Sequence, residues 1–137
     1  MRRNAATEFL GIDVGVVRVG IARGSSLARL AEPLKIVPAK VAIIEIKQLA
    51  KTNQADAVVV GLPRGLAGQE TAQTQAVRAW VNLAKSQINL PFYWQDEALT
   101  TQAAQSRGVK NHTVDARAAA IMLQDFLDSK PEDRVKA

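Results

Sequence analysis

The run from Phe9 to Ala22, Phe-Leu-Gly-Ile-Asp-Val-Gly-Val-Val-Arg-Val-Gly-Ile-Ala, sets one carboxylate, Asp13, inside an apolar β pattern. The pattern reverses at Gly15 and returns as a second apolar strand, which predicts an antiparallel hairpin at the start of a sheet. Burying an unpaired carboxylate costs several kcal/mol, so an acid at the heart of a strand is normally paired or holds a metal. Two other places offer acids in comparably apolar settings: Asp96-Glu97 at the end of a strand pattern, and Asp115 on the inner face of a helix pattern. Three carboxylates meeting at one spot would repel by about 4 kcal/mol per pair at an effective dielectric near 20. A divalent cation is the simplest remedy.

The chain has 137 residues, of which 47% are hydrophobic, enough for one compact domain spanning 1–137 with 1–7 and 130–137 as flexible tails. With no cysteine there is no disulfide framework, thiolate nucleophile or cysteine zinc site, and the composition fits a reducing cytosol. No stretch is apolar enough for a signal peptide or a membrane span, so the expectation is a cytoplasmic protein without a membrane partner. Lysine and arginine number 18 against 13 acids, a net charge of +5. With several of the acids committed to one pocket, the remaining surface is more basic still and suits a polyanion.

Residues 8–14 and 17–23 read as the two hairpin strands, and 27–37 as a third, with Pro33 marking an edge or bulge. From Ala39 to Thr52 the apolar positions Ala42, Ile43, Ile46, Leu49 and Ala50 recur at helical spacing, with Lys40, Lys47 and Lys51 on the other side. The continuous run Ala57–Leu62 is the mark of a strand buried on both faces. A loop with two glycines and a proline, Leu62–Gly68, leads into a helix over 71–87. A last strand covers 90–95 and closes at Asp96-Glu97. Helices follow over 100–107 and 113–127, and 130–137 reads as a frayed tail. The order βββαβαβαα predicts an α/β fold: an antiparallel three-strand meander joined to parallel strands, flanked by helices.

Ligands in such sheets bind beyond the carboxyl ends of the parallel strands, where Asp13, Asp96-Glu97 and the 61–68 loop all fall. Strand alternation puts Phe92, Trp94 and Asp96 on one face and Tyr93, Gln95 and Glu97 on the other, so only one of the two adjacent acids enters the site. Asp115 shares a helix face with Ala118, Ala119 and Met122, in the first turn, where the helix dipole favours a carboxylate. Carboxylates without cysteine or histidine suit Mg²⁺ or Mn²⁺. Such ions activate water and stabilise the leaving oxygen in phosphodiester hydrolysis. His112, the only histidine, stands beside Asp115 as a proton shuttle or phosphate contact, or as a solvated loop residue. Trp80 and Trp94 sit at core spacing.

The segments GIDVGVVRVGIA, VVVGLPRG, DEALTT and VDARAAAIMLQDFL resemble, in order and spacing, the YqgF/RuvX family, whose members have a ribonuclease H-like fold. The family is described as Holliday junction resolvases and as nucleases that mature the small-subunit ribosomal RNA precursor. The resemblance implies that the metal-binding and catalytic acids are Asp13, Glu97 and Asp115, with Asp96 the usual neighbour of that glutamate and a further candidate ligand. The chain departs from the pattern where the family carries arginine after the Asp-Glu pair, here Ala98. It departs again at Val16, at Arg64-Gly65 after Gly61-Leu62-Pro63, and at His112-Thr113. Arg18, Arg64, Lys110 and His112 are the candidate nucleic-acid contacts.

The expected function is a metal-dependent nuclease in 5′ maturation of pre-16S rRNA, acting on structured RNA, with the ribosomal precursor particle as partner. A branched-DNA resolvase is the alternative on the same site, and a non-catalytic RNA- or ribosome-binding module the alternative of another class. An ATPase of the actin and sugar-kinase type shares Asp13-x-Gly15 and Gly20 but needs two lobes, which this length does not supply. Either a monomer or a homodimer is compatible with the sequence.

Overall fold

The computed structural model describes residues 6–98 and 116–137. Strands β1 (Glu8–Val14) and β2 (Arg18–Ser25) form the antiparallel hairpin, with Asp13 opposite Gly20 and Val14 opposite Val19. Strand β3 (Ala31–Pro38) adds to β2, and its register slips where Lys35 opposes Ile21 and Pro33 opposes Ala22. β3 is an edge strand, so the missing N–H of Pro33 costs no central ladder bond. A 3₁₀ turn (Ala39–Val41) leads into α1 (Ala42–Thr52). Then come β4 (Ala57–Arg64), parallel to β1, α2 (Ala72–Lys85), and β5 (Phe92–Ala98), parallel to β4. Helix α3 (Ala116–Asp128) follows, then a 3₁₀ turn (Pro131–Asp133) and the two-residue strand β6 (Val135–Lys136). The sheet order is β3-β2-β1-β4-β5-β6, with β2 and β6 running against the rest.

This is the meander joined to parallel strands that the sequence predicts. The helix expected over 100–107 lies outside the described residues. Residues 130–137, expected to fray, instead return to the sheet. Val135 and Lys136 pair with Trp94 and Tyr93, Ala137 N–H donates to the Phe92 carbonyl at 2.9 Å, and Lys85 Nζ donates to the Ala137 carbonyl at 2.8 Å. The Arg134 guanidinium lies 4.4 Å from the Phe126 ring centre. Edge pairing and a cation–π contact therefore anchor a segment whose local composition carries no periodic signal.

Each sheet face is covered. Leu10, Ile12, Val58, Val60 and Phe92 pack with Val77, Val81 and Ala84 of α2 and with Ala42, Ile46 and Ala50 of α1. On the other face Phe9, Ala57 and Val59 pack with Ala119, Met122, Leu123 and Phe126 of α3. The approach of α3 is close: a Cβ built on Gly11 would stand 2.8 Å from Leu123 Cβ, so β1 needs glycine there. Because Phe126 meets Phe9 and Leu123 meets Gly11, α3 runs antiparallel to β1 and its first turn lies toward the Asp13 end of the sheet.

Candidate active site

The carboxyl ends of β1, β4 and β5 form one rim, with the start of β2 and the end of β3 beside it. Asp13 is the fifth residue after Phe9 counted inclusively, so it shares the face of Phe9 and Gly11, the face that α3 covers. Glu97 shares the face of Tyr93, also on the α3 side. Both acids line one small pocket of about 80 Å³ together with Val14, Gly61, Pro63, Arg64, Gly65, Thr71 and Gln73. They come from strands on either side of β4, and Gly61 keeps the space between them open. A Cβ on Gly61 would overlap Glu97 Oε2 and stand 3.2 Å from Met122 Cγ.

Asp96 takes the opposite face, as alternation requires, and its side chain is 64% exposed. Its carboxylate lies 3.5 Å from Arg64 Nη2, while Arg64 Nη1 reaches Glu70 at 3.3 Å. Glu70 in turn accepts from Arg78 Nη2 at 2.6 Å and from Gln75 Nε2 at 2.6 Å. The hydrogen bond from Arg78 is the main cause holding the Glu70 carboxyl below its ordinary range; burial opposes it, and the charges of Arg78 and Arg64 add to it. Arg78 also lies 5.5 Å from the Trp94 ring centre. Arg64 thus lines the pocket and is partly neutralised by two acids, a setting that its predicted place in a loop did not reveal.

The end of β4 that carries Arg64, a position the sequence predicts as loop, is tied down by buried Thr74. Its hydroxyl donates to the Pro63 carbonyl, and the Thr71 N–H donates to Thr74 Oγ1 at 2.9 Å in a capping box that starts α2. Sequence reasoning missed three supports of the site. Gly61 was legible as a glycine interrupting the run Val58-Val59-Val60, a mark of close approach. Thr74 was legible as the third helical residue after Thr71, the spacing of a capping box. Glu70 carried no signal of its own.

Of the predicted site residues, Asp13 and Glu97 come together and Asp96 does not join them. Arg64 stands at the rim of the same pocket, and Arg18 is exposed at the start of β2 beside it. Asp115, Lys110 and His112 lie outside the described residues. Among the described residues no group of three His, Cys, Asp or Glu side chains stands close enough to hold a metal ion. The donor set present, two carboxylates from different strands sharing a pocket, has the oxygen chemistry of a hard-cation site that needs a further acid.

The family model RuvX, described as Holliday junction resolvase, matches residues 7–129. A protein of Chloroflexus aggregans named “Putative pre-16S rRNA nuclease” is 37% identical over 133 residues, covering 89% of this chain and 94% of that relative. A protein of the same name from Fusobacterium nucleatum is 34% identical over 134 residues, covering 89% and 97%. Among solved structures, Thermus thermophilus RuvC in complex with a Holliday junction substrate superposes with a TM-score of 0.57 at 16% identity, covering 96% of this chain and 99% of that one. That likeness establishes the fold, ribonuclease H-like, as the sequence resemblance implied.

Proposed function

This chain belongs to the RuvX family, and we propose that it is a divalent-metal-dependent nuclease that hydrolyses phosphodiester bonds in the 5′ maturation of pre-16S rRNA. The observation that carries the reading is the convergence of Asp13 and Glu97 on one pocket at the carboxyl rim, with Gly61 leaving room between them. Asp115 is assigned as the third carboxylate, immediately before a helix whose first turn lies toward that rim. Asp13, Glu97 and Asp115 would hold Mg²⁺ or Mn²⁺, and the absence of cysteine and the single histidine leave oxygen ligands as the chain's natural donors. When bound, the ion supplies Lewis-acid stabilisation of the charge that develops on the phosphate.

The protein's own groups do the rest. Strands fix the two carboxylates within the sheet, so their positions are set before substrate arrives, which limits reorganisation during the reaction. Arg64, held by Glu70 and Asp96 at the pocket edge, is placed to exchange an acid partner for a phosphate oxygen. Arg18, exposed beside the rim, adds a second cation for the backbone.

The relatives' names support an RNA substrate, and the family description supports a four-way DNA junction as the alternative. The test offers the same preparation a 5′-extended pre-16S rRNA fragment and a four-way junction in Mg²⁺, with Asp13→Asn beside the wild type. The proposal expects cleavage of the RNA, lost in Asp13→Asn at unchanged melting temperature. Preferential cutting of the junction would transfer the function to branched DNA, and no cleavage of either would leave a binding module.

A further inference from the structure

We propose that the exposed face of α1 is a phosphate track that grips a double-stranded arm of the substrate and leads away from the catalytic rim. The inference rests on the nuclease reading for its choice of nucleic acid as ligand, and on the following geometry for its place. Ile44, Lys47 and Lys51 are exposed at spacings of three and four residues, the repeat of one helix face, and Lys40, exposed in the 3₁₀ turn that leads into α1, stands four residues before Ile44. The opposite face of α1, Ala42, Ile46 and Ala50, is buried in the core, so the lysines face solvent. Over the eleven residue steps from Lys40 to Lys51 the face is about 17 Å long, or about five steps at the 3.4 Å axial charge spacing of one strand of a duplex.

Among the described residues no acid neutralises the charge on this face. Arg23, Lys35, Arg64 and Arg78 each face an acid, whereas Lys40, Lys47 and Lys51 form no ion pair with a described residue. The only acid on α1, Glu45, is turned to Lys35 at 3.1 Å. The track also connects to the rim. Strand β3 ends at the same side of the sheet as β1, and Arg18 sits opposite Pro38. Ala39 N–H donates to the Val17 carbonyl at 2.8 Å, fastening the turn that carries Lys40 to the β1–β2 turn beside Asp13. Lys40, Lys47 and Lys51 thus form a line of cations that starts beside the rim and runs down α1, on the sheet face opposite to the one that Arg18, Asp13 and Glu97 share by strand alternation. Lysines, as flexible point charges, suit a sequence-independent grip on phosphates rather than base reading.

The test measures binding in EDTA, so that it does not depend on cleavage, using a duplex of about 20 base pairs across a salt series. Lys47→Gln/Lys51→Gln should make the log–log salt slope shallower by about 1.8 and weaken binding about 30-fold at 0.15 M salt, at about 0.9 released counterions and about fivefold per lysine. The charge-matched pair Lys130→Gln/Lys136→Gln, exposed near the opposite sheet edge, should change affinity less than about twofold. An unchanged slope in the α1 variant, or an equal loss in the control pair, overturns the track. So does an equal loss for a single strand of the same length, which would mean that no duplex arm is gripped. A shallower slope in a protein that never cleaves would support the track and remove the nuclease reading, so the two fail separately.

Discussion

Gly61→Ala separates the site from the scaffold with a single methyl group. The new Cβ would overlap Glu97 Oε2, lie 3.0 Å from Glu97 Cδ and 3.2 Å from Met122 Cγ. The Glu97 carboxylate is the far end of a flexible side chain and can swing aside, and Met122 needs to give by only a few tenths of an ångström. Removing a glycine from a strand interior returns about 0.5–1 kcal/mol of unfolded-state entropy, which offsets the crowding against Met122. Net stability should therefore stay within about 1 kcal/mol of wild type, a melting shift of at most about 5 °C for a domain of this size. The carboxylate, in contrast, must move by about 1 Å or more, a misplacement that can cost about 10²-fold in rate. Thermal unfolding and single-turnover cleavage of one preparation read both quantities. Wild-type cleavage with the methyl group in place would refute the claim that Glu97 acts from its position over Gly61 of β4.

Asp115→Asn should lower cleavage by at least ~10²-fold while leaving binding in chelator equal or stronger, because one negative charge facing the phosphates is removed; cleavage at the wild-type rate would take Asp115 out of the catalytic set. Thr74→Val leaves the Pro63 carbonyl and the Thr71 N–H without their partner and should cost about 1–3 kcal/mol, read as a drop in melting temperature, whereas an unchanged melting temperature would show that this end of β4 is held elsewhere. Glu70, whose carboxyl is held below the ordinary value of 4.5, contributes stability above the carboxylate range that is lost as pH falls through the lowered value. The melting difference between wild type and Glu70→Gln should accordingly be present at pH 7 and shrink toward zero in acid; a difference independent of pH would contradict the ion-pair account.

The hairpin and the two helices of one face were legible from their apolar spacing, and β4 from its continuous apolar run Ala57–Leu62. Strand alternation separated Asp96 from Glu97: Trp94 packs toward α1 and α2 and Tyr93 toward α3, so Asp96, two residues after Trp94, and Glu97, four after Tyr93, take opposite faces. The register slip at Pro33 was also readable, from the missing donor. What escaped were contacts between segments distant in sequence. Glu70 joins Arg64, Arg78 and Gln75 through side-chain bonds, and no local pattern announces such a hub. The strand at Val135–Lys136 is only two residues long and both are exposed, so its order comes from the β5 edge, from Lys85 and from Arg134 over Phe126. The convergence of Asp13 and Glu97 could be anticipated from strand ends, but the room between them depends on Gly61, a residue with no side chain to draw attention.

The central claim, that the rim carboxylates hold a divalent cation, is tested most directly by titrating Mn²⁺ into the metal-free protein and into Asp13→Asn, with free ion followed by electron paramagnetic resonance. The account predicts a site in the wild type whose affinity falls at least about tenfold in the variant, since a ligand charge is lost while the fold remains. Equal Mn²⁺ binding by the two proteins would contradict it.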